Sequence, residues 1–236
     1  MTWVKICGTT NLEDALTAVD AGADAVGFVF YEKSPRKIDV ETARDIVGKL
    51  PEGVETVGVF AGESLKRAQE FGDSVGFDSL QLYPFSDPKC LEILESAGFW
   101  PPAQRKTGQR KLYLALPISK LVLDEAEKNE LTVSVADPKG KFVALLLDSG
   151  GGRQPGGTGV TFDWNQSAPT VAGLSLHQKV VIAGGLTPNN VTEAIGILKP
   201  WGVDVVSGVE ASPGKKDPDK VRAFVNAVRE IDRKTS

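Results

Sequence analysis

Lys5 and Cys7 stand two residues apart in Trp3-Val4-Lys5-Ile6-Cys7, a largely apolar stretch that runs into the turn Gly8-Thr9-Thr10. Alternation along a strand puts Trp3, Lys5 and Cys7 on one face and Val4 and Ile6 on the other. A thiol beside an ammonium group has its thiolate favoured, and a thiolate can take a proton from carbon. The ammonium, if buried, requires an acidic partner. Asp148 closes the apolar run Val143–Leu147 and shares a face with Leu146. It is either the partner of Lys5 or a general acid, its pKa raised by desolvation and lowered by any nearby Lys5. The plain alternative, a small core cysteine beside a structural ion pair, stays open on these residues alone. No His is placed to activate Cys7 for acyl transfer, because His177 is the single His and falls at a helix-to-strand junction, where it reads as a surface or packing residue.

Two further strand ends carry Ala183-Gly184-Gly185 and Val206-Ser207-Gly208-Val209. Glycine lets the backbone approach a ligand and present N–H groups, and the Ser207 hydroxyl adds a donor, which together suit a phosphate. The alternative is that these glycines serve only as turn residues. Arg36, in the loop Tyr31–Lys37, has the planar fork that suits a carboxylate, unless it is simply a solvated loop residue. The glycine-rich stretch from Gly150 to Gly159 is long enough to close over a substrate as a lid. An acid, a base and a phosphate grip in one pocket suit a proton-shuffling isomerase.

The elements that must position these groups alternate along the whole chain. Strands are expected over residues 3–7, 25–30, 56–60, 79–82, 112–116, 143–147, 180–183 and 203–206. Helices are expected over 11–21, 39–49, 64–71, 87–97, 119–129, 167–172, 189–198 and 218–231. Segment 100–110 reads as an exposed loop and 132–141 as a turn or small insertion. Continuous Val, Ile and Leu runs imply strands covered on both faces, as in a parallel sheet. One (β/α)₈ TIM barrel spanning residues 1–236 is the economical architecture, with active groups where strands end and phosphate after strands seven and eight. An open doubly wound sheet is the alternative, but no dinucleotide fingerprint follows the first strand.

Composition narrows the class. Hydrophobic residues make up 41% of the 236 and charged ones 25%, as in soluble globular proteins. A formal net charge of −4 argues against broad nucleic-acid binding. No apolar run reaches membrane-spanning length, and Met1-Thr2-Trp3 enters a strand without a signal peptide. Cys7, Cys90 and His177 make neither a disulfide framework nor a metal site. A cytoplasmic monomer is expected, with Cys90 packed in a helix core beside Leu91 and Leu94.

Taken together, Lys5-Ile6-Cys7-Gly8, Gly22-Ala23-Asp24-Ala25 with Gly27-Phe28, Ser34-Pro35-Arg36, Val57-Gly58-Val59-Phe60 and Leu146-Leu147-Asp148-Ser149 resemble the phosphoribosylanthranilate isomerase family. So do Gly156-Gly157-Thr158-Gly159, Phe162-Asp163-Trp164, Ala183-Gly184-Gly185-Leu186 and Ser207-Gly208-Val209-Glu210 with Pro213-Gly214. The resemblance implies the Amadori rearrangement of tryptophan biosynthesis, without a cofactor, because sugar ring opening supplies the electron sink. It implies Asp148 as general acid, Cys7 as general base, and Arg36 on the anthranilate carboxylate. Gly184, Gly185, Ser207 and Gly208 would take the phosphate, and Asp204 would lie near the aminobenzoate end. The chain departs from the family where Tyr83-Pro84 replaces the usual His-Gly and Val206 the usual Ser. The Lys111–Pro117 region matches poorly. Two other readings are the related histidine-pathway isomerase, which carries Asp where this chain has Cys7, and a sugar-phosphate-binding barrel without turnover.

Overall fold

The computed structural model describes residues 1–83, 111–118, 143–150, 159 and 161–235. Within them eight parallel strands close into a barrel in chain order. They are β1 (Trp3–Ile6), β2 (Ala25–Val29), β3 (Glu55–Ala61), β4 (Ser79–Tyr83), β5 (Lys111–Pro117), β6 (Ala144–Asp148), β7 (Lys179–Ile182) and β8 (Gly202–Val205). Six helices are described: α1 (Leu12–Asp20), α2 (Val40–Lys49), α3 (Leu65–Val75), α4 (Trp164–Ser175), α5 (Val191–Leu198) and α6 (Pro218–Thr235). The expected helices 87–97 and 119–129, with Cys90, lie outside the described residues. So do segments 100–110 and 132–141, and most of the glycine-rich stretch after β6.

The apolar runs form strands because both faces are covered. Val4 and Ile6 point outward into the layer between barrel and helices, where both are fully buried. The inward face of β1 joins Ala25, Val57, Val59, Ala115, Leu146 and Val181 in the barrel lumen. Trp3 stacks on Tyr113 and Trp201 at ring separations of 5.5 and 5.2 Å and plugs the end from which the strands start. Gly202, paired with Trp3 across the β8–β1 seam, leaves room for that ring. The helices begin where polar caps stand: Asn11, Asp39, Ser64 and Asp163 each accept a backbone N–H from the first turn.

Two local features depart from expectation. Helix α4 starts at Trp164, earlier than residue 167, because Asp163 caps it and Pro169 is accommodated inside it. After β8 a short 3₁₀ turn, Ser207–Val209, leads into a hairpin of β9 (Glu210–Ser212) and β10 (Lys215–Lys216). Ser212-Pro213-Gly214-Lys215 spells this turn, with Pro first and Gly214 at φ +83°.

Candidate active site

β1 sets the lumen side of the site. Lys5 Nζ donates to Asp204 Oδ1 at 2.7 Å, and both side chains are almost fully buried. The register makes the pair inevitable once the barrel closes, because Lys5 sits opposite Asp204 on adjacent strands. Of the two roles open to Asp148, that of Lys5's partner is thereby taken by Asp204. Burial opposes the ammonium, yet Asp204 and Cys7 together hold the Lys5 pKa above its ordinary value.

Cys7 follows β1 directly, its N–H still bonded to Val205 of β8 at 2.9 Å. Gly27 on β2 makes space for its sulfur: a Cβ there would lie 2.6 Å from Cys7 Sγ and 3.0 Å from Lys5 Cε. Lys5 does favour the thiolate, as expected, but it does not prevail. Burial pushes the Cys7 thiol up, and Lys5 only partly offsets this because Asp204 pushes the same way as burial. The thiol is therefore inclined toward its neutral form.

Asp148 ends β6 on the inner face. Its Oδ1 accepts from the Gly150 N–H at 3.1 Å and the Ser149 hydroxyl at 3.3 Å. Its Oδ2 accepts from the Tyr83 hydroxyl at 3.4 Å, and Gln81 Nε2 donates in turn to that hydroxyl at 3.3 Å. Burial raises the carboxyl, Asp204 adds to the rise, and the three hydrogen bonds oppose it. The result is a carboxyl group inclined to hold its proton, which a general acid needs. Tyr83 feels the charges of Asp148, Asp204 and Cys7 together, which with its burial push its pKa well up. The acid, the thiol and the Lys5–Asp204 pair thus share one rim of the barrel, with the Tyr83 phenol among them.

The loops after β7 and β8 complete the cleft. Asp148, Gly184, Gly185, Leu186, Asp204, Val206 and Ser207 line about 270 Å³ of unfilled space that is partly open to solvent. Gly184 and Gly185 adopt left-handed φ values of +86° and +65°, which free their backbone from the strand direction. Gly184 abuts Ser149, so the loop bearing the acid rests on the glycine loop. Gly208 is in close approach to the Leu186 carbonyl, where any Cβ would collide with backbone. Gly159 returns the stretch after β6 beside the Ser207 hydroxyl. Asn190, which sequence reasoning missed, ties the glycine loop down: it donates to the Gly185 carbonyl at 3.0 Å and accepts from Thr187 N–H at 2.7 Å.

Arg36 lies over Gly8, whose missing side chain leaves room for the arginine stem. The expectation of a free fork is corrected. Nε and one N–H of Nη2 are engaged by Glu210, at 2.8 Å each, which leaves Nη1 as the nitrogen not bonded to Glu210. Glu210 is itself held below its ordinary pKa by Arg36 and Lys216, despite burial. Glu210 and the fully buried Lys216 were missed because their roles depend on a hairpin whose only sequence signal is Pro213-Gly214. His177 is exposed just before β7, at the opposite end of the barrel. Among the described residues no group of His, Cys, Asp and Glu could hold a metal ion.

Comparison with known proteins places this geometry. The family model described as N-(5'phosphoribosyl)anthranilate (PRA) isomerase matches residues 4–99 and 105–227. The N-(5'-phosphoribosyl)anthranilate isomerase of Pelobacter propionicus is 40% identical over 228 residues, covering 96% of this chain and 95% of its own. That of Pseudomonas fluorescens is 42% identical over 225 residues, covering 95% and 97%. The crystal structure of the Thermotoga maritima phosphoribosyl anthranilate isomerase superposes with a TM-score of 0.77 at 37% identity, covering 98% of this chain and 100% of that one. A phosphoribosyl anthranilate isomerase in complex with reduced 1-(o-carboxyphenylamino)-1-deoxyribulose 5-phosphate gives a TM-score of 0.73 at 36% identity, with coverage of 98% and 100%. With a matching model over nearly all its length and relatives at this identity, the chain belongs to the N-(5'-phosphoribosyl)anthranilate isomerase family.

Proposed function

We propose that the chain converts N-(5-phosphoribosyl)anthranilate to 1-(2-carboxyphenylamino)-1-deoxyribulose 5-phosphate in tryptophan biosynthesis, with Asp148 as general acid and Cys7 as general base. The observation that carries the assignment is the Lys5–Asp204 pair. It gives Lys5 a carboxylate partner other than Asp148 and leaves Asp148 with only neutral hydrogen-bond donors, so its carboxyl is inclined to keep a proton to give.

Asp148 protonates the furanose ring oxygen as the C1–O bond breaks, and the anilino nitrogen lone pair closes a C=N bond. Cys7, as thiolate, then takes the C2 proton, and the C=N electrons return to nitrogen to leave an enolamine. Loss of the C2 hydroxyl proton and protonation at C1 give the ketone. Electrons are only rearranged, so no cofactor is required. Gly184, Gly185 and Gly208 offer backbone N–H groups and Ser207 a hydroxyl to the phosphate, while Arg36 offers Nη1 to the anthranilate carboxylate. Asp204 holds Lys5 and, from the lining of the cleft, faces the aminobenzoate end of the substrate. Both acid and base lean toward their neutral forms, so the productive thiolate–carboxylic acid pair is a minor protonation state, and pH–rate profiles report the pair rather than either group.

The experiment is turnover of freshly prepared substrate, followed as loss of anthranilate-type fluorescence, in wild type, Cys7→Ser and Asp148→Asn. Loss of rate by orders of magnitude in both variants is expected. Equal rates in all three remove the assignment, and phosphosugar binding without turnover by wild type would make the chain a binding protein instead. A reducing compartment suits a free thiol in this role. A monomer is favoured by the scatter of large exposed hydrophobics, which among the described residues are Met1, Leu16 and Leu176. A solved relative, 35% identical, consists of generated monomers of the dimeric Thermotoga maritima enzyme, and sedimentation decides the matter for this chain.

A further inference from the structure

Lys216 is a fully buried ammonium that the mechanism above leaves without a role. Its Nζ donates to the Cys7 carbonyl at 2.6 Å, to the Val206 carbonyl at 3.3 Å and to Glu210 Oε1 at 3.4 Å. Three donors meet three acceptors, so the group is complete. The placement of those acceptors is informative. The ladder between β1 and β8 ends at the Cys7 N–H to Val205 bond, and the next carbonyls on the two strands are those of Cys7 and Val206. With no further rung available, both would be buried polar groups short of a partner. Lys216 supplies the missing donors. One carbonyl belongs to the base, and the other immediately precedes Ser207 and Gly208 of the phosphate loop.

The clamp is held from behind. The Lys216 N–H donates to Asp14 Oδ2 of α1 at 2.8 Å. Glu210 takes the two Arg36 donors as well as Lys216, and its own carbonyl accepts from Lys220 at 2.9 Å. The base, the phosphate loop and the carboxylate grip therefore converge on one buried ion pair. We propose that Lys216 is a positioning residue for the isomerisation: anchored by Glu210, it locks the Cys7 backbone and the start of the phosphate loop into mutual register.

This rests on the reading of Cys7 as base, so the test uses readouts that need no turnover. Cys7 is faced by Lys5 on β1, Asp204 on β8, Tyr83 on β4 and Lys216 on β10, while Lys216 is faced by Glu210, Arg36 and Cys7. Removing the Lys216 charge raises the thiol further, since Lys216 pulls it down. In full-length Lys216→Met, Glu210 keeps Arg36 as partner, so no charge is orphaned. Iodoacetamide labelling of Cys7 at pH 8, quantified by mass spectrometry of its peptide, should slow by more than twofold, because less of the thiol is ionised. The dissociation constant of ribose 5-phosphate, measured by titration calorimetry, should rise by a similar factor. A variant with wild-type circular dichroism in which either value stays within twofold of wild type overturns the proposal. Should the variant not fold, ¹⁵N-lysine NMR of the wild type decides. A slowly exchanging Lys216 NH₃⁺ signal, correlated through the hydrogen bond with the Cys7 carbonyl carbon, supports it; exchange as fast as that of surface lysines overturns it. A Cys7→Ser protein with full turnover would sink the base assignment while leaving these readouts intact.

Discussion

Gly27→Ala tests whether the thiol's placement is set by a single missing side chain. The added Cβ would lie 2.6 Å from Cys7 Sγ and 3.0 Å from Lys5 Cε. Optimal separations of non-bonded heavy atoms are about 3.5–4.0 Å, so the sulfur must retreat by roughly 1 Å or turn to another rotamer. The backbone raises no objection, because Gly27 is not among the residues with positive φ. Overpacking of this kind costs about 1–3 kcal/mol, which for a chain of this size lowers Tm by roughly 2–12 °C and leaves the protein folded at room temperature. A displacement of about 1 Å at a reacting group costs on the order of 10²-fold in rate. The assay is steady-state turnover with Cys7 alkylation measured in parallel, each at a temperature well below the melt. Gly48→Ala serves as the contrast, because a Cβ there meets nothing and helix α2 should gain about 0.5–1 kcal/mol. A folded Gly27→Ala protein with kcat within threefold of wild type would refute the claim that this glycine positions the base.

Asp148→Asn should lose activity and gain stability. The Asp148 pKa is raised in the folded state, so that state binds the proton more tightly than the unfolded chain. Ionising the carboxyl in place therefore costs stability as pH rises through the folded value. The Tm advantage of Asn should be absent in acid below the ordinary carboxylate range and grow toward neutral pH; thermal melts across pH showing no growth would contradict the burial argument. Tyr83→Phe removes the hydroxyl donor to Asp148 Oδ2, so the limb of the pH–rate profile belonging to the acid should move to higher pH with kcat falling several-fold. An unmoved limb would show that the 3.4 Å contact does not tune the acid. Lys5→Met leaves Asp204 buried without its cation and should cost about 3–5 kcal/mol. Adding Asp204→Asn should restore most of the loss in denaturant unfolding, and additive losses would refute the pairing.

Much of this architecture was legible in the residues themselves. Period two placed Trp3, Lys5 and Cys7 on the inner face of β1 and Asp148 with Leu146 on that of β6, and the lumen contains them as expected. Gly184-Gly185 after the seventh strand and Ser207-Gly208 after the eighth marked the loops that line the cleft. These features are local, since side-chain direction alternates with residue number and a glycine turn is spelled by its own few residues. Helix starts were legible for the same reason wherever a polar cap stood, at Asn11 and Asp39.

Three matters were settled only by closure of the barrel. Lys5 found its partner 199 residues away, because β8 returns beside β1 and brings Asp204 opposite. The thiol was shifted up rather than down, because burial depends on what surrounds the sulfur in three dimensions and a charge two residues away is only part of that. Arg36 was engaged by Glu210, and Lys216 was drawn under Cys7, by a hairpin that folds back from the end of β8. The chain alone thus determined which residues stand at strand ends and which way they face. Which charges meet there, and what protons they keep, is a property of the closed ring, where distances and desolvation follow from contacts between segments far apart in sequence.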